Sequence, residues 1–373
     1  MGNYLFEIVT APDWMADFHC AEGDCPHTCC QGWNIEVDGA HGKRFAEMED
    51  TKMKQLLLKG KVRRTGNTKA DEIYRLQLRK FPLERCPLMT AGGKCSMQLS
   101  FGADILCDTC YFFPRLFKQI DGAAQMTASL ACPEAARRAL FRNEPVRFLP
   151  VRAEIDPAAE WLETEMIPDP GVREILRNHN RMIAAMIDLL QDRSKPMPER
   201  VADAAAFIAG EPVPGSFDES EMIPALIRTF DRGTNGLEKP FGSIHSDLML
   251  ILANGFDPAD VIVQNYLKAR DSIYLPFLAN ELPLEENFMV HLVFSDTLKQ
   301  FGIYMNSDIT ETRLRAFESQ YLKYSFALFR LLQCKEIMRT GTITREQFLR
   351  TVYLEDRRYW HYPAWFYRMI TSA

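Results

Sequence analysis

Long apolar runs are missing from this sequence: no segment offers the roughly 20 uninterrupted apolar residues that a helix needs to cross a bilayer. Near the start, Glu7, Asp13 and Asp17 break the only hydrophobic stretch, and no basic region precedes it. A secretory leader is therefore not expected, and the chain is expected to act in the cytoplasm, away from membranes. Met1-Gly2 opens like a myristoylation site, but Phe6 stands where that motif needs Ser or Thr. A basic surplus is missing too. The 44 Lys and Arg are outnumbered by 50 Asp and Glu, a formal net charge of −6, whereas a dedicated nucleic-acid binder concentrates positive charge in one stripe. Lys61, Arg63 and Arg64 form the nearest basic run and read as a solvated loop, so no nucleic-acid partner is expected.

Also absent is a Gly-x-Gly-x-x-Gly after a strand-like segment. Ala91-Gly92-Gly93-Lys94 fits a tight reversal between cysteines better than a nucleotide loop, so a Rossmann domain is not expected. Internal repeats, coiled-coil heptads and low-complexity tracts are lacking as well. With 373 residues, 47% of them hydrophobic, the chain can bury a full core without relying on metal alone. Its texture changes near residue 150, which predicts a cysteine-rich domain over 1–149 and a helical domain over 150–373. The expected fold is mainly α, with a small α+β cysteine-rich metal-binding region containing a β-hairpin.

What is abundant is cysteine, and only in one place. Nine of the ten cysteines are Cys20, Cys25, Cys29, Cys30, Cys86, Cys95, Cys107, Cys110 and Cys132. Reducing conditions in the cytosol disfavour structural disulfides, and an odd number of thiols cannot all pair, so metal or iron–sulfur ligation is expected. Thiolate sulfur is soft, and sets of four cysteines suit zinc or an iron–sulfur cluster equally well. Adjacent Cys29 and Cys30 cannot easily point at one centre, and nine cysteines exceed one tetrahedral site. Either two centres exist or several cysteines are not ligands. His19 and His27 are candidates to complete a zinc site, or are surface groups. Cys25 and Cys29 have the first spacing of a radical S-adenosylmethionine motif, but Gly32 occupies the third place, so that mechanism lacks its motif. Cys334 sits in an apolar helical pattern and reads as a buried structural thiol.

Local signals place these residues. Lys43 to Lys59 has near-helical apolar spacing and stops at Gly60. Residues 73–79 alternate as a half-buried strand does. Pro87 and Gly92-Gly93 supply the reversal that lets Cys86 and Cys95 converge. Asp121-Gly122 is a two-residue hairpin signal. It pairs Ile120 with Ala123 and, if continued without a bulge, brings Cys132 opposite Tyr111 and beside Cys110. Asp156-Pro157 predicts a helix through Trp161 and Leu162. Val172, Ile175, Leu176, Met182, Ile183, Met186, Ile187 and Leu190 trace one apolar stripe. Loops are expected at 193–198 and 211–218, and helices at 284–301 and 311–339.

Several stretches together resemble one family. They are Cys20-x4-Cys25-x3-Cys29-Cys30-Gln31-Gly32-Trp33, Cys86-Pro87-Leu88 with Gly92-Gly93-Lys94-Cys95, Cys107-Asp108-Thr109-Cys110 followed by Phe113-Pro114-Arg115, and Ser129-Leu130-Ala131-Cys132-Pro133-Glu134. The joint pattern resembles the flagellin lysine-N-methylase family, part of a wider group with a zinc- or iron-chelating cysteine-cluster domain. The likeness extends more loosely to Glu286 through His291 and to the helical segment from Tyr321 to Leu332. It implies methyl transfer from S-adenosylmethionine to the ε-amine of flagellin lysines, with a cysteine-bound [4Fe–4S] cluster or, alternatively, zinc. The nine cysteines contain the implied ligand set. Trp33, Tyr111, Phe112 and Phe113, or Trp360, His361, Tyr362, Trp365 and Tyr367, are candidates to hold a cationic alkylammonium, or are core packing. Asp108 and Glu134 are candidate bases or hydrogen-bonding groups beside the cysteines. The competing expectation, from another class, is a non-enzymatic, zinc-stabilised protein-interaction module.

Overall fold

A computed structural model describes residues 5–21, 24–30, 35–48, 63–64, 74–76, 85–120, 123–155, 162–163, 170–212, 217–226, 258–281, 283–296 and 310–356. In chain order the strands are β1 Leu5–Pro12, β2 Ile35–Val37, β3 Arg63–Arg64, β4 Tyr74–Leu76, β5 Arg115–Ile120, β6 Ala123–Ala128, β7 Phe148–Ile155 and β8 Leu162–Glu163. The helices are α1 Gly39–Glu47, α2 Ser96–Phe101, α3 Asp108–Phe112, α4 Pro133–Leu140, α5 Pro170–Leu190, α6 Met197–Ala209, α7 Pro258–Ala269, α8 Leu275–Ala279, α9 Leu284–Asp296, α10 Glu311–Thr340 and α11 Arg345–Glu355. Helix predominates among the described residues, and none of these helices is long and apolar enough to cross a membrane.

One mixed sheet has the order β7-β1-β6-β5-β8, and a second, small one the order β2-β4-β3. β1 alternates as a strand covered on one face must: Val9 and Ala11 are fully buried while Phe6 and Ile8 are exposed. It pairs antiparallel with β7 along its whole length, from Leu5↔Ile155 to Pro12↔Phe148, and parallel with β6. The boundary expected at 149/150 falls inside β7.

The β5–β6 hairpin has the register read from Asp121-Gly122, from Ile120↔Ala123 to Arg115↔Ala128. Ser129 N–H continues it by one bond, 2.8 Å to the Pro114 carbonyl. There the ladder stops, because Pro114 has no amide to return a bond. Beyond it Cys110 and Tyr111 wind into α3 and Cys132 caps α4, so Cys132 does not lie opposite Tyr111 as the extended register predicted.

Behind the large sheet lies the main core, formed by its inner face and helices α4 to α7 and α9 to α11. α10 is buried along most of its length and packs on α6, α7 and α11, as a central helix apolar on most sides must. Thr310 caps its start, and Gly341, with φ of 77°, ends it in the left-handed region that favours glycine. The apolar stripe became α5, and Cys334 is fully buried. A second, small core holds Ile35, Val37, Phe45, Leu88, Met97 and Ile105 around cysteines.

Three local expectations need correction. The helix read from Lys43 to Lys59 is α1, starting at Gly39, where Asp38 caps it, and ending at Glu47 because Met48 turns extended at ψ of 132°; residues 49–62 lie outside the described ones. Leu162, expected in a helix, lies in β8 and pairs with Lys118 of β5. The loop expected through Pro198 ends earlier, since α6 begins at Met197 and tolerates a proline in its first turn. The strand read over 73–79 is described only at Tyr74–Leu76, and the helix read to 301 only to Asp296.

Candidate metal centre

Two thiol neighbourhoods emerge from this frame. The first is built around the small core. Cys86 N–H donates to the Cys30 carbonyl at 2.7 Å, fixing the two residues side by side. The chain then reverses as its sequence predicted. Thr90 N–H reaches the Lys94 carbonyl at 2.8 Å, Met89 bridges to Cys95, and Gly93 takes a φ of 81° that other residues adopt at a cost. Cys95 ends this reversal as the N-cap of α2, and Cys107 is the N-cap of α3 with Cys110 in its first turn. Cys30, Cys86, Cys95, Cys107 and Cys110 thus line one small core, with Cys86 and Cys107 buried.

Cys20, Cys25, Cys29 and Cys132 make the second neighbourhood, on the rim of the main core, with Cys20 and Cys29 exposed and Cys132 buried. Several contacts hold it. Arg138 of α4 donates to the Asp17 carbonyl at 3.0 Å and its carboxylate at 2.9 Å, and Arg115 donates to the Phe18 carbonyl at 3.4 Å. Both guanidinium groups lie over the Phe18 ring, at 5.4 and 5.9 Å from its centroid. The segment leading into Cys20 is thereby fastened beside Cys132, the N-cap of α4. α11 closes the other side: His27 packs on Tyr353 at 5.8 Å, and the Asp356 carboxylate accepts from Ser129 Oγ at 2.9 Å and Ala131 N–H at 2.7 Å.

Electrostatics follow the same division. Burial, with Cys132 and Cys20 as charged neighbours, pushes the Cys25 thiol up to about 11, and burial beside Cys30 and Cys95 pushes Cys86 up to about 12. Burial raises Cys132 and Cys95 as well, against amides of Ala135 and Glu134 in one case and Gln98 and Met97 in the other. The Cys110 thiol hydrogen-bonds Cys107 and keeps its proton, which leaves Cys107 below the usual thiol range. The two neighbourhoods meet at the hydrogen bond between the adjacent Cys29 and Cys30 thiols, which is the main cause of Cys29 being raised. Burial thus keeps most of these thiols protonated, as it does the Cys334 thiol in the main core.

Beside Cys107 lies a group that the sequence reading missed. Asp38 accepts the His41 backbone N–H at 2.9 Å, approaches its Nδ1 at 2.8 Å, and accepts the Asp108 N–H at 3.2 Å. Asp108 Oδ1 lies 3.8 Å from the same Nδ1, and the three ligand-type atoms converge within 4.8 Å. Burial opposes ionisation of Asp38, yet hydrogen bonds from His41 hold its carboxyl well below the usual range, while Asp38 raises His41. Asp-x-x-His at a helix start was the available signal, since an N-cap carboxylate and the third residue beyond it share one turn.

The other expected site residues are placed as follows. Glu134 is engaged by Arg137 at 2.7 Å and Arg138 at 2.8 Å, the Arg137 contact being the main cause of its lowered carboxyl. Tyr111 donates to Glu154 at 2.7 Å and, pushed up to about 12 by burial and that carboxylate, stacks edge-on with Phe112 at 5.1 Å. Phe113 packs against the main core, and His19 is exposed. Trp33 and the aromatics from Trp360 to Tyr367 lie outside the described residues.

No family profile matches the chain, and no solved structure matches it. It is 30% identical over 143 residues to lysine-N-methylases of Salmonella choleraesuis and Salmonella typhimurium, which is 37% of this chain and 33% of each of theirs. The matched part therefore spans about a third of the length of those relatives. It is also 30% identical over 140 residues to the flagellar biosynthetic protein FliU of Salmonella muenchen, covering 37% of this chain and 78% of that protein. The chain belongs to the flagellin lysine-N-methylase family. Within that family, the present chain gathers its cysteines as two neighbourhoods meeting at Cys29 and Cys30.

Proposed function

We propose that this chain is a cytoplasmic protein-lysine N-methyltransferase that transfers a methyl group from S-adenosylmethionine to lysines of flagellin, with the ligands of a [4Fe–4S] cluster contained among the nine clustered cysteines. Family membership carries this reading. The donor chemistry supports its metal part: every clustered ligand candidate is a soft thiol. In this reading residues 1–149 hold the metal, and the helices of 150–373 bind the methyl donor and present the flagellin lysine.

Only a neutral amine can attack the methyl carbon, whereas an exposed lysine ionises near 10.4. The protein must therefore strip water from the substrate ammonium and align nitrogen, carbon and sulfur before transfer. When bound among the clustered cysteines, an iron–sulfur cluster would supply a redox-active, polarisable centre. Arg115, against Cys20 and Cys132, is placed to offset thiolate charge, and α11 is placed to limit solvent from the His27 side.

The test is anaerobic purification with analysis of iron, acid-labile sulfide and zinc, followed by incubation with flagellin and isotopically labelled S-adenosylmethionine. Label on flagellin lysines from iron- and sulfide-loaded protein is expected. Zinc without iron, and no labelled lysine, would overturn the reading in favour of a zinc-stabilised interaction module.

A further inference from the structure

We propose that the nine cysteines form two separate metal centres set back to back: an open one on Cys20, Cys25, Cys29 and Cys132, and an enclosed one on Cys30, Cys86, Cys95, Cys107 and Cys110. This rests on the reading that the thiolates hold metal, and not on methyl transfer. Three features of the fold carry it.

The first is location. The enclosed group lines a small core that has its own apolar residues, whereas Cys132 belongs to the main core behind the large sheet. The second is anchoring. Cys30 is joined to Cys86 by a backbone hydrogen bond of 2.7 Å, and Cys95 follows through a reversal that bridges it to Met89. The open group is fixed by other elements: Arg138 and Arg115 fasten the chain before Cys20, and Asp356 of the α11 end fastens the loop before Cys132. The third is the polar surroundings, since Arg115 neighbours Cys20 and Cys132, while the hydrogen-bonded pair of His41 and Asp38 neighbours Cys107. Cys29 and Cys30 sit in a turn with their thiols hydrogen-bonded to each other, and at that pair the two groups meet.

Accessibility then separates their roles. Two thiols of the open group are exposed, so that centre can exchange ligands with a small molecule. Four thiolates complete a tetrahedral zinc site or hold one cubane cluster, and the enclosed group reaches that number from its own members. It makes the small core dependent on metal.

The experiment is stepwise chelation of the purified full-length holoprotein, with iron and zinc quantified at each step and newly reactive cysteines mapped by alkylation and mass spectrometry. Two steps are expected. Cys20, Cys25, Cys29 and Cys132 become reactive together in the first, and the enclosed five only in the second. Cys132→Ser should abolish the first step and leave the metal of the second in place, with unchanged far-ultraviolet circular dichroism. Cys86→Ser should remove the second metal, and the alkylation map of the unmutated protein stands if that variant fails to fold. Release of all metal in a single step that exposes both groups, or loss of all metal in a folded Cys132→Ser protein, would overturn the two-centre assignment. Protein that binds no metal at all would overturn the metal reading beneath it.

Discussion

The small core buries Ile35, Val37, Phe45, Leu88, Met97 and Ile105 between its cysteines, whereas the large core extends from Val9 to Tyr353 through a sheet and the long helices. A hydrophobic cluster as small as the first releases too little free energy to offset the chain entropy of ordering it, and such regions need disulfides or metal. The large core has apolar area to spare and uses it to bury charge. Arg330 of α10 donates to both oxygens of Glu285, at 2.7 and 2.8 Å, and to Glu219 at 2.7 Å. Tyr274 and Tyr266 add hydrogen bonds to the same carboxylates at 3.0 and 2.9 Å. Glu286 is matched by Arg193 and Arg200, and Asn287 Nδ2 donates to the carbonyls of Leu140 and Arg142. Three successive polar residues at the start of α9 therefore tie it to three other parts of the fold. On the two-centre proposal, stability in one region hangs on metal; in the other it hangs on packing around satisfied ion pairs.

The strongest way to break this contrast is to remove metal. Structural zinc sites contribute on the order of 10–16 kcal/mol to the folding of small domains, so chelation should abolish amide protection over residues 85–110 while α10 stays protected. Hydrogen exchange with mass spectrometry reads both regions in one sample, and equal loss in both would refute the contrast.

Arg330→Met attacks the other region. It takes the guanidinium from the buried Glu285 and leaves Glu219 to Arg270, a defect that costs about 3–5 kcal/mol, and thermal unfolding should shift down sharply with metal content unchanged.

Acid gives a graded effect on the large core. His179 is buried, and burial, with Lys118 and Arg315 nearby, pushes it down to about 3. Its folded value lies below the ordinary 6.5, so only the unfolded chain takes up this proton as pH falls. The stability it preserves is complete above about pH 6.5 and is lost toward pH 3, at about 1.4 kcal/mol per pH unit. His179→Gln should flatten that slope in denaturant titrations between pH 6 and 4, and an unchanged slope would exclude this residue as its source.

The smallest change concerns α11, whose Thr344 and Gln347 form a reciprocal capping box. Thr344→Ala should cost about 1 kcal/mol and raise the alkylation rate of Cys20 and Cys29 while leaving Cys86 unaffected, because His27 and the loop before Cys132 rest on α11 and its end.

How much of this could be read from the chain depended on the range of the signal. The hairpin register followed from Asp121-Gly122 because a two-residue turn fixes its neighbours, and α10 followed from its apolar period. That the cysteines gather was legible from chemistry. Their sorting was not, since it depends on which way Cys29 and Cys30 turn and on Asp356, which is distant in sequence from Cys132. The pairing of Leu5 with Ile155 left no local trace either, because strand partners are chosen by tertiary fit. Leu162 was misread for the same reason: Asp156-Pro157 is a sound helix start, but the sheet edge at Lys118 claims the residue.

β1 lies between β6 and β7, yet it precedes both in the chain, and it has neither neighbour until the residues from Ala123 onward are made. All five thiols of the enclosed group precede β6 in the chain, so they leave the ribosome while that strand is still unpaired. The open group waits for Cys132, which arrives only after the hairpin. Translation order alone therefore allows the inner thiols to capture metal before the sheet closes, and the outer ones only afterwards.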